Sequence, residues 1–167
     1  MKRTDELLYR TIDYFEGMPK RIQHLLKVRD FALMIGENEK LDERTLEILE
    51  AVGIVHDVGV KPAAALYGHS TARLQEELGP DEARKLLIGW PEDMVERICY
   101  IIAHHHTYDD IQGADYQILV EADFLVNFFE HDNNEKTIRH TLETIFRTNK
   151  GKQLCRTMFG LDKQKFA

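Results

Sequence analysis

The chain reads as an all-α protein, a single-domain helical bundle of 167 residues. Two observations lead to that reading. Apolar residues recur at helical spacing along almost the whole length, and two-residue alternation of the β type is nearly absent. The periodic stretches are separated by short breaks, with no repeat, linker or low-complexity tract, so residues 1–167 form one domain. A domain of this size buries roughly 70% of its unfolded surface and needs neither a disulfide nor a structural metal to fold.

The elements follow in order. Residues 5–16 carry the first amphipathic stretch. Pro19 opens a second helix running to about Asn38, because its missing N–H costs nothing in a first turn. Asp42 caps a third over 43–56. Gly59 and Pro62 then break the chain, and a helix spans roughly 68–78. Gly79-Pro80 starts another, and Trp90-Pro91 the next. Residues 107–114, with Asp109, Asp110 and Gly113, form a loop. Residues 115–130 are apolar on nearly every side and predict a buried helix. Two further helices, near 134–148 and 150–158, complete the bundle.

Composition narrows the class. With 43% apolar and 31% charged residues the chain is an ordinary globular protein. Cys99 and Cys155 lie far apart and form no Cys-x-x-Cys, which fits reduced thiols in the cytoplasm. Residues Met1 to Glu6 turn acidic where a signal peptide needs an apolar core. Apolar runs such as Ile98 to Ala103 are too short to span a bilayer, so no membrane is expected. A net charge of −7 argues against duplex nucleic acid as partner, since phosphate backbones are bound by basic surfaces. It leaves room for a small anion held by a few local cations. The basic clusters at 19–21 and from Lys152 to Lys165 read as solvated faces.

Four residues stand where charge or imidazole is unwelcome. His24 shares a helical face with Val28, Phe31 and Ile35 and so points to the core. His56 ends the next helix on the face of Leu49 and Val52, and Gly53, one turn earlier, leaves space for another helix to approach. Asp57 follows at a helix C-terminus, an unfavourable place for an anion unless a cation is near. Asp123 lies in the apolar run Ile118 to Val126, with no Arg in that segment to pair it. A buried ionised carboxylate is costly unless paired or bound to metal, so one shared divalent cation accounts for all four. Glu121, about 200° from Asp123 around its helix, is expected to face solvent or to stand behind the ligands, while Asn127 is placed to hydrogen-bond a ligand carboxylate.

The order His24, His56-Asp57, Asp123 on successive helices resembles the HD-domain metal-dependent phosphohydrolase superfamily, over roughly residues 20–130. The resemblance implies a helical bundle of the HD type in which these four residues are ligands of a first metal. In binuclear members the doublet's Asp bridges to a second ion held by further histidines. Here those are His69 and one of His104, His105 and His106. His105 continues the apolar stripe of Val95, Ile98 and Ile101/Ile102 and is favoured, with His104 and His106 about 100° to either side. His69 follows Tyr67-Gly68 at a helix start and reads equally as a solvent-facing histidine, in which case Glu76 substitutes.

Two departures from the family pattern matter. Many members show His-Asp-x-Gly-Lys, whereas this chain reads His56-Asp57-Val58-Gly59-Val60-Lys61, displacing the lysine by one position. No Gly-Tyr-Pro follows the His triplet, which argues against a cyclic-dinucleotide phosphodiesterase of the HD-GYP type.

The implied activity is hydrolysis of a small anionic phosphoester, a nucleotide or phosphorylated metabolite, with one or two divalent ions. Mixed His and carboxylate ligation favours Mn, Fe, Co or Ni over Mg. In that reading Asp57 orients or bridges, while Lys61 or Arg21 neutralises charge on the phosphoryl group. Two alternatives share the ligand order: an HD-type di-iron oxygenase, and a catalytically silent metal-binding regulatory domain.

Overall fold

Nine helices follow one another among the described residues, 1–163, of the computed structural model. They are α1 (Arg3–Tyr14), α2 (Pro19–Asn38), α3 (Glu43–Val55), α4 (Val60–Tyr67), α5 (Ala72–Leu86), α6 (Glu92–His104), α7 (Ala114–Glu130), α8 (Glu135–Thr144) and α9 (Asn149–Met158). Local chemistry sets several of the starts. Pro19 opens α2, and Asp42, Thr71, Asn134 and Thr148 each accept a backbone N–H at the head of α3, α5, α8 and α9. The predicted basic segment ending at Lys165 runs beyond the described residues.

The core is built around α3. It packs on α2, α6, α7 and α1, while α2 also lies along α7 and α5 pairs with α6. Val28 and Ile35 of α2, Leu49 and Val52 of α3, Ile98 and Ile102 of α6 and Leu119 and Ala122 of α7 are all fully buried there. Helix α7 is enclosed on most sides, as its all-round apolar sequence predicts.

Two expectations are corrected. The break after the His56-Asp57 doublet contains a helix, α4. Pro62 is its third residue, within the first turn, where the absent N–H has no intrahelical acceptor to lose. The two helices expected on either side of Gly79-Pro80 are one, α5, with Pro80 inside it. An interior proline costs ~3 kcal/mol in a helix. Packing supplies the compensation: α5 lies against α4 and α6. The α4 end and α5 meet backbone to backbone, since a Cβ on Gly59 would stand 2.6 Å from the Gln75 carbonyl and 2.9 Å from the Gly79 nitrogen.

Smaller differences sit at the ends. Helix α8 stops at Thr144 rather than near 148, because the backbone N–H groups of Arg147 and Thr148 are turned to the Glu121 carboxylate. Helix α1 runs two residues earlier than expected, and α3 gives way at His56, its C-cap.

Candidate metal centre

Four segments deliver donors to one buried spot: α2 (His24), the end of α3 (His56, Asp57), α7 (Asp123) and the end of α6 (His105, His106). His24 Nε2 lies 3.2 Å from His56 Nε2, 3.1 Å from Asp123 Oδ1 and 3.2 Å from Asp57 Oδ2. His56 Nε2 is 3.4 Å from Asp123 Oδ1. Metal–ligand bonds of about 2.1 Å place neighbouring ligands about 3.0 Å apart in an octahedron and about 3.4 Å apart in a tetrahedron. These four spacings fall in that interval, and His56 Nε2 to Asp57 Oδ2, at 3.6 Å, lies just beyond it. A second group of donors, Asp57, His105 and His106, brings its ligand atoms within 4.8 Å of one another.

The rings are held in one orientation from behind. His56 Nδ1 is 2.9 Å from the Gly53 carbonyl and His105 Nδ1 is 2.6 Å from the Ile102 carbonyl. A carbonyl only accepts, so in both rings Nδ1 carries the proton and the Nε2 lone pair faces the cluster. His24 Nδ1 donates to the Glu130 carboxylate at 3.0 Å, and Lys27 Nζ holds the same carboxylate at 2.9 Å. Gly53 has a further use: a Cβ there would stand 3.0 Å from the Arg29 Cα, so the bare backbone lets α2 bring His24 close to His56.

The electrostatics of the cluster suit a cation. Burial lowers the His24 pKa, but the carboxylates of Asp123 and Asp57 beside its Nε2 outweigh it and the value is pushed up to about 11. Burial alone would raise the carboxyl of Asp57, yet His56, His105 and His24 hold it well below the usual range, and His24 and His56 do the same for Asp123. Burial together with the neighbouring His105 brings His106 down to about 4, so its ring is neutral and able to ligate. His105 Nε2 and Asp123 Oδ1 are buried with no hydrogen-bond partner. Such orphans are costly in a protein interior. A divalent cation fits this donor set of imidazoles and carboxylates and satisfies both.

Other residues named from sequence lie elsewhere. His69 is exposed, just after the left-handed Gly68 and before α5 begins, with Nδ1 2.9 Å from the Tyr67 carbonyl, and it belongs to neither donor group. The physical reason is that α5 starts at Ala72, so no helix carries His69 inward. Lys61 Nζ donates to the Tyr14 carbonyl at 2.6 Å and sits over the Tyr14 ring, which commits it to α1. His104 stacks on Tyr100. Glu76 is no ligand in either group; its carboxylate accepts the His106 N–H and the Thr107 hydroxyl and so holds the turn that presents His106.

Glu121, expected at the surface or behind the ligands, is fully buried and accepts from Gln117 Nε2, the N–H groups of Arg147 and Thr148 and the Thr148 hydroxyl. It anchors the α8–α9 connection. Two participants, Gln75 and Glu130, are not among the residues named from sequence, and a third is ranked too low. His106 stands behind His105 on a helical wheel that extends past His104, where the helix has ended. Gln75 holds His106 Nε2 at 2.7 Å, and no sequence pattern signals that contact. Glu130 stands seven residues after Asp123, two turns on along the same face, and that offset was the available signal.

The HD domain family model matches residues 21–149, most of the chain and all six donors. This chain belongs to the HD-domain family. A crystal structure of a predicted HD superfamily hydrolase from an uncultured Thermotogales bacterium is similar across 95% of this HD-domain protein and 86% of its own length. The TM-score is 0.68 at 22% identity, a likeness of fold. No curated protein sequence matches the chain. Among the described residues no helix is long and apolar enough to cross a membrane.

Proposed function

We propose that this HD-domain protein is a metal-dependent phosphohydrolase acting on a small phosphoester, a nucleotide or another phosphorylated metabolite. One observation carries the reading. The two oxygens of Asp57 face different donor groups, Oδ2 at 3.2 Å from His24 Nε2 and Oδ1 at 3.4 Å from His105 Nε2. His24, His56, Asp57 and Asp123 would hold one divalent cation, and Asp57, His105 and His106 a second. Mn, Fe, Co or Ni suits this mixture better than Mg. When bound, such ions lower the pKa of water towards neutrality and offset charge on phosphoryl oxygens. The hydrolase name of the similar Thermotogales protein supports the same reaction class.

The chain's own residues supply position and charge. Arg21 Nη1 stands 3.7 Å from Asp57 Oδ2 with its side chain 39% exposed, so most of its donors remain available to a phosphoryl group. It takes the role that Lys61, turned to Tyr14, leaves open. Glu130 and the Gly53 and Ile102 carbonyls keep His24, His56 and His105 aimed, so no reorganisation is needed as charge develops.

A bridging carboxylate among four histidines also suits two irons, which keeps a di-iron oxygenase as the second reading. Elemental analysis of protein purified without chelator, followed by a phosphoester panel in air and under anaerobiosis, tests the proposal. Phosphate release independent of O₂ is the expected result. Turnover that consumes O₂ favours the oxygenase, and tightly held metal without any turnover favours a regulatory domain.

A further inference from the structure

A cavity of about 600 Å³ opens between the head of α2 and the end of α7, and its wall includes Lys20, Arg21, Gln23, Lys27, Asn127 and Glu130. None of the six metal-facing donors lines it, yet it adjoins them at two points. Arg21 lies on the cavity wall and reaches Asp57, and Glu130 lies on the wall and holds His24.

The cavity's charge is opposite to that of the molecule. The chain carries a net charge of −7, but three cations, Lys20, Arg21 and Lys27, share this wall with one carboxylate. That carboxylate, Glu130, is already engaged by His24 and Lys27 and offers little repulsion to a second anion. Lys20 is exposed and forms no ion pair among the described residues. Gln23 and Asn127 add neutral amide donors. A volume of this order is that of a small-molecule site.

We propose that this cavity binds a second anionic group of the substrate, a carboxylate or a phosphate on the part of the molecule that is not the scissile phosphoryl. The inference rests on the phosphohydrolase reading and narrows its substrate class to phosphoesters bearing another negative charge. Arg21 stands at the boundary and faces the reacting phosphoryl group. Lys20, Gln23 and Asn127 meet the remote anion.

Calorimetric binding to the metal-loaded protein tests this without requiring turnover. Two matched pairs serve as probes: glycerol 3-phosphate against 3-phosphoglycerate, and a nucleoside 5′-monophosphate against the 3′,5′-bisphosphate. The first pair adds a carboxylate and the second a phosphate, so the arms separate the two kinds of anion. In at least one pair the more anionic member binds about tenfold tighter, the size of one charge-assisted contact. Lys20→Glu abolishes that preference and leaves binding of the less charged member and the metal content unchanged. Equal affinity within both pairs, no measurable binding of either more anionic member, or a preference that survives Lys20→Glu overturns the inference. Preferential binding with no phosphate release from any member of the phosphoester panel retains the anion site and removes the phosphohydrolase reading instead.

Discussion

Asp57 and Glu121 are both carboxylates withdrawn from water, and their partners give them different work. Glu121 accepts from four donors that belong to the protein, so it is satisfied as it stands. Asp57 is surrounded by imidazoles and one distant guanidinium. Asp57→Asn removes a charge from both donor groups, and the metal-to-protein ratio of purified protein is expected to collapse while far-UV circular dichroism is unchanged. Glu121→Gln does the reverse. An amide cannot accept from all four donors, and stability falls by about 1–3 kcal/mol in urea unfolding with metal content retained. The histidines divide in the same way: His106→Ala lowers the metal ratio, and His69→Ala leaves it at the parent value. A loss of metal in His69→Ala alone would reverse the assignment of the second group.

At the scale of elements, the centre depends on how closely helices approach. Gly53 lies under the Arg29 backbone of α2, and Gly59 lies under Gln75 and Gly79 of α5. A methyl group at either place meets main chain, which yields far less readily than the tip of a side chain. Gly53→Ala and Gly59→Ala are each expected to cost about 1–3 kcal/mol. They differ in what else they disturb. Gly53→Ala pushes α2 from α3 and so separates His24 from His56, weakening metal retention during dialysis. Gly59→Ala spreads α4 from α5 and acts on the Gln75–Glu76 support of His106. Dialysis against a graded chelator series, alongside urea unfolding, distinguishes the two.

At the scale of the whole molecule, the centre links metal, protons and stability. Without metal, the depressed carboxyls of Asp57 and Asp123 add stability above their unfolded value of 3.8, which is lost as pH falls. His24, raised from 6.5 to about 11, adds stability that is fully present below 6.5 and is lost as pH rises through about 11. In the metal-free protein at neutral pH a protonated His24 therefore stands between two carboxylates. A cation entering at neutral pH displaces that proton, so apparent metal affinity is expected to rise with pH, about tenfold per unit for each proton released. Competition titrations with a chelator at pH 6, 7 and 8, corrected for the chelator's own protonation, check the slope. Metal loading should also raise the thermal midpoint, because it binds the folded state alone.

Helical periodicity in the chain was enough to establish an all-α bundle, because burying one face of a helix leaves a period that needs no knowledge of its partner. His24, His56, Asp57 and Asp123 were legible for a related reason: each is polar on an otherwise apolar face, an anomaly visible within its own segment. Helix α4 and the unbroken α5 were not legible: Gly59 and Pro62 read as a break although a proline costs little in a first turn, and Pro80 carries a local penalty that only packing between helices offsets. The same limit applies to the second donor group. His106 turns inward after α6 has ended, held by Gln75 and Glu76 about thirty residues away, and Lys61 is drawn to the Tyr14 carbonyl of α1. Periodicity is a property of one segment, whereas the direction of a side chain beyond a helix end is set by whatever the rest of the chain brings beside it.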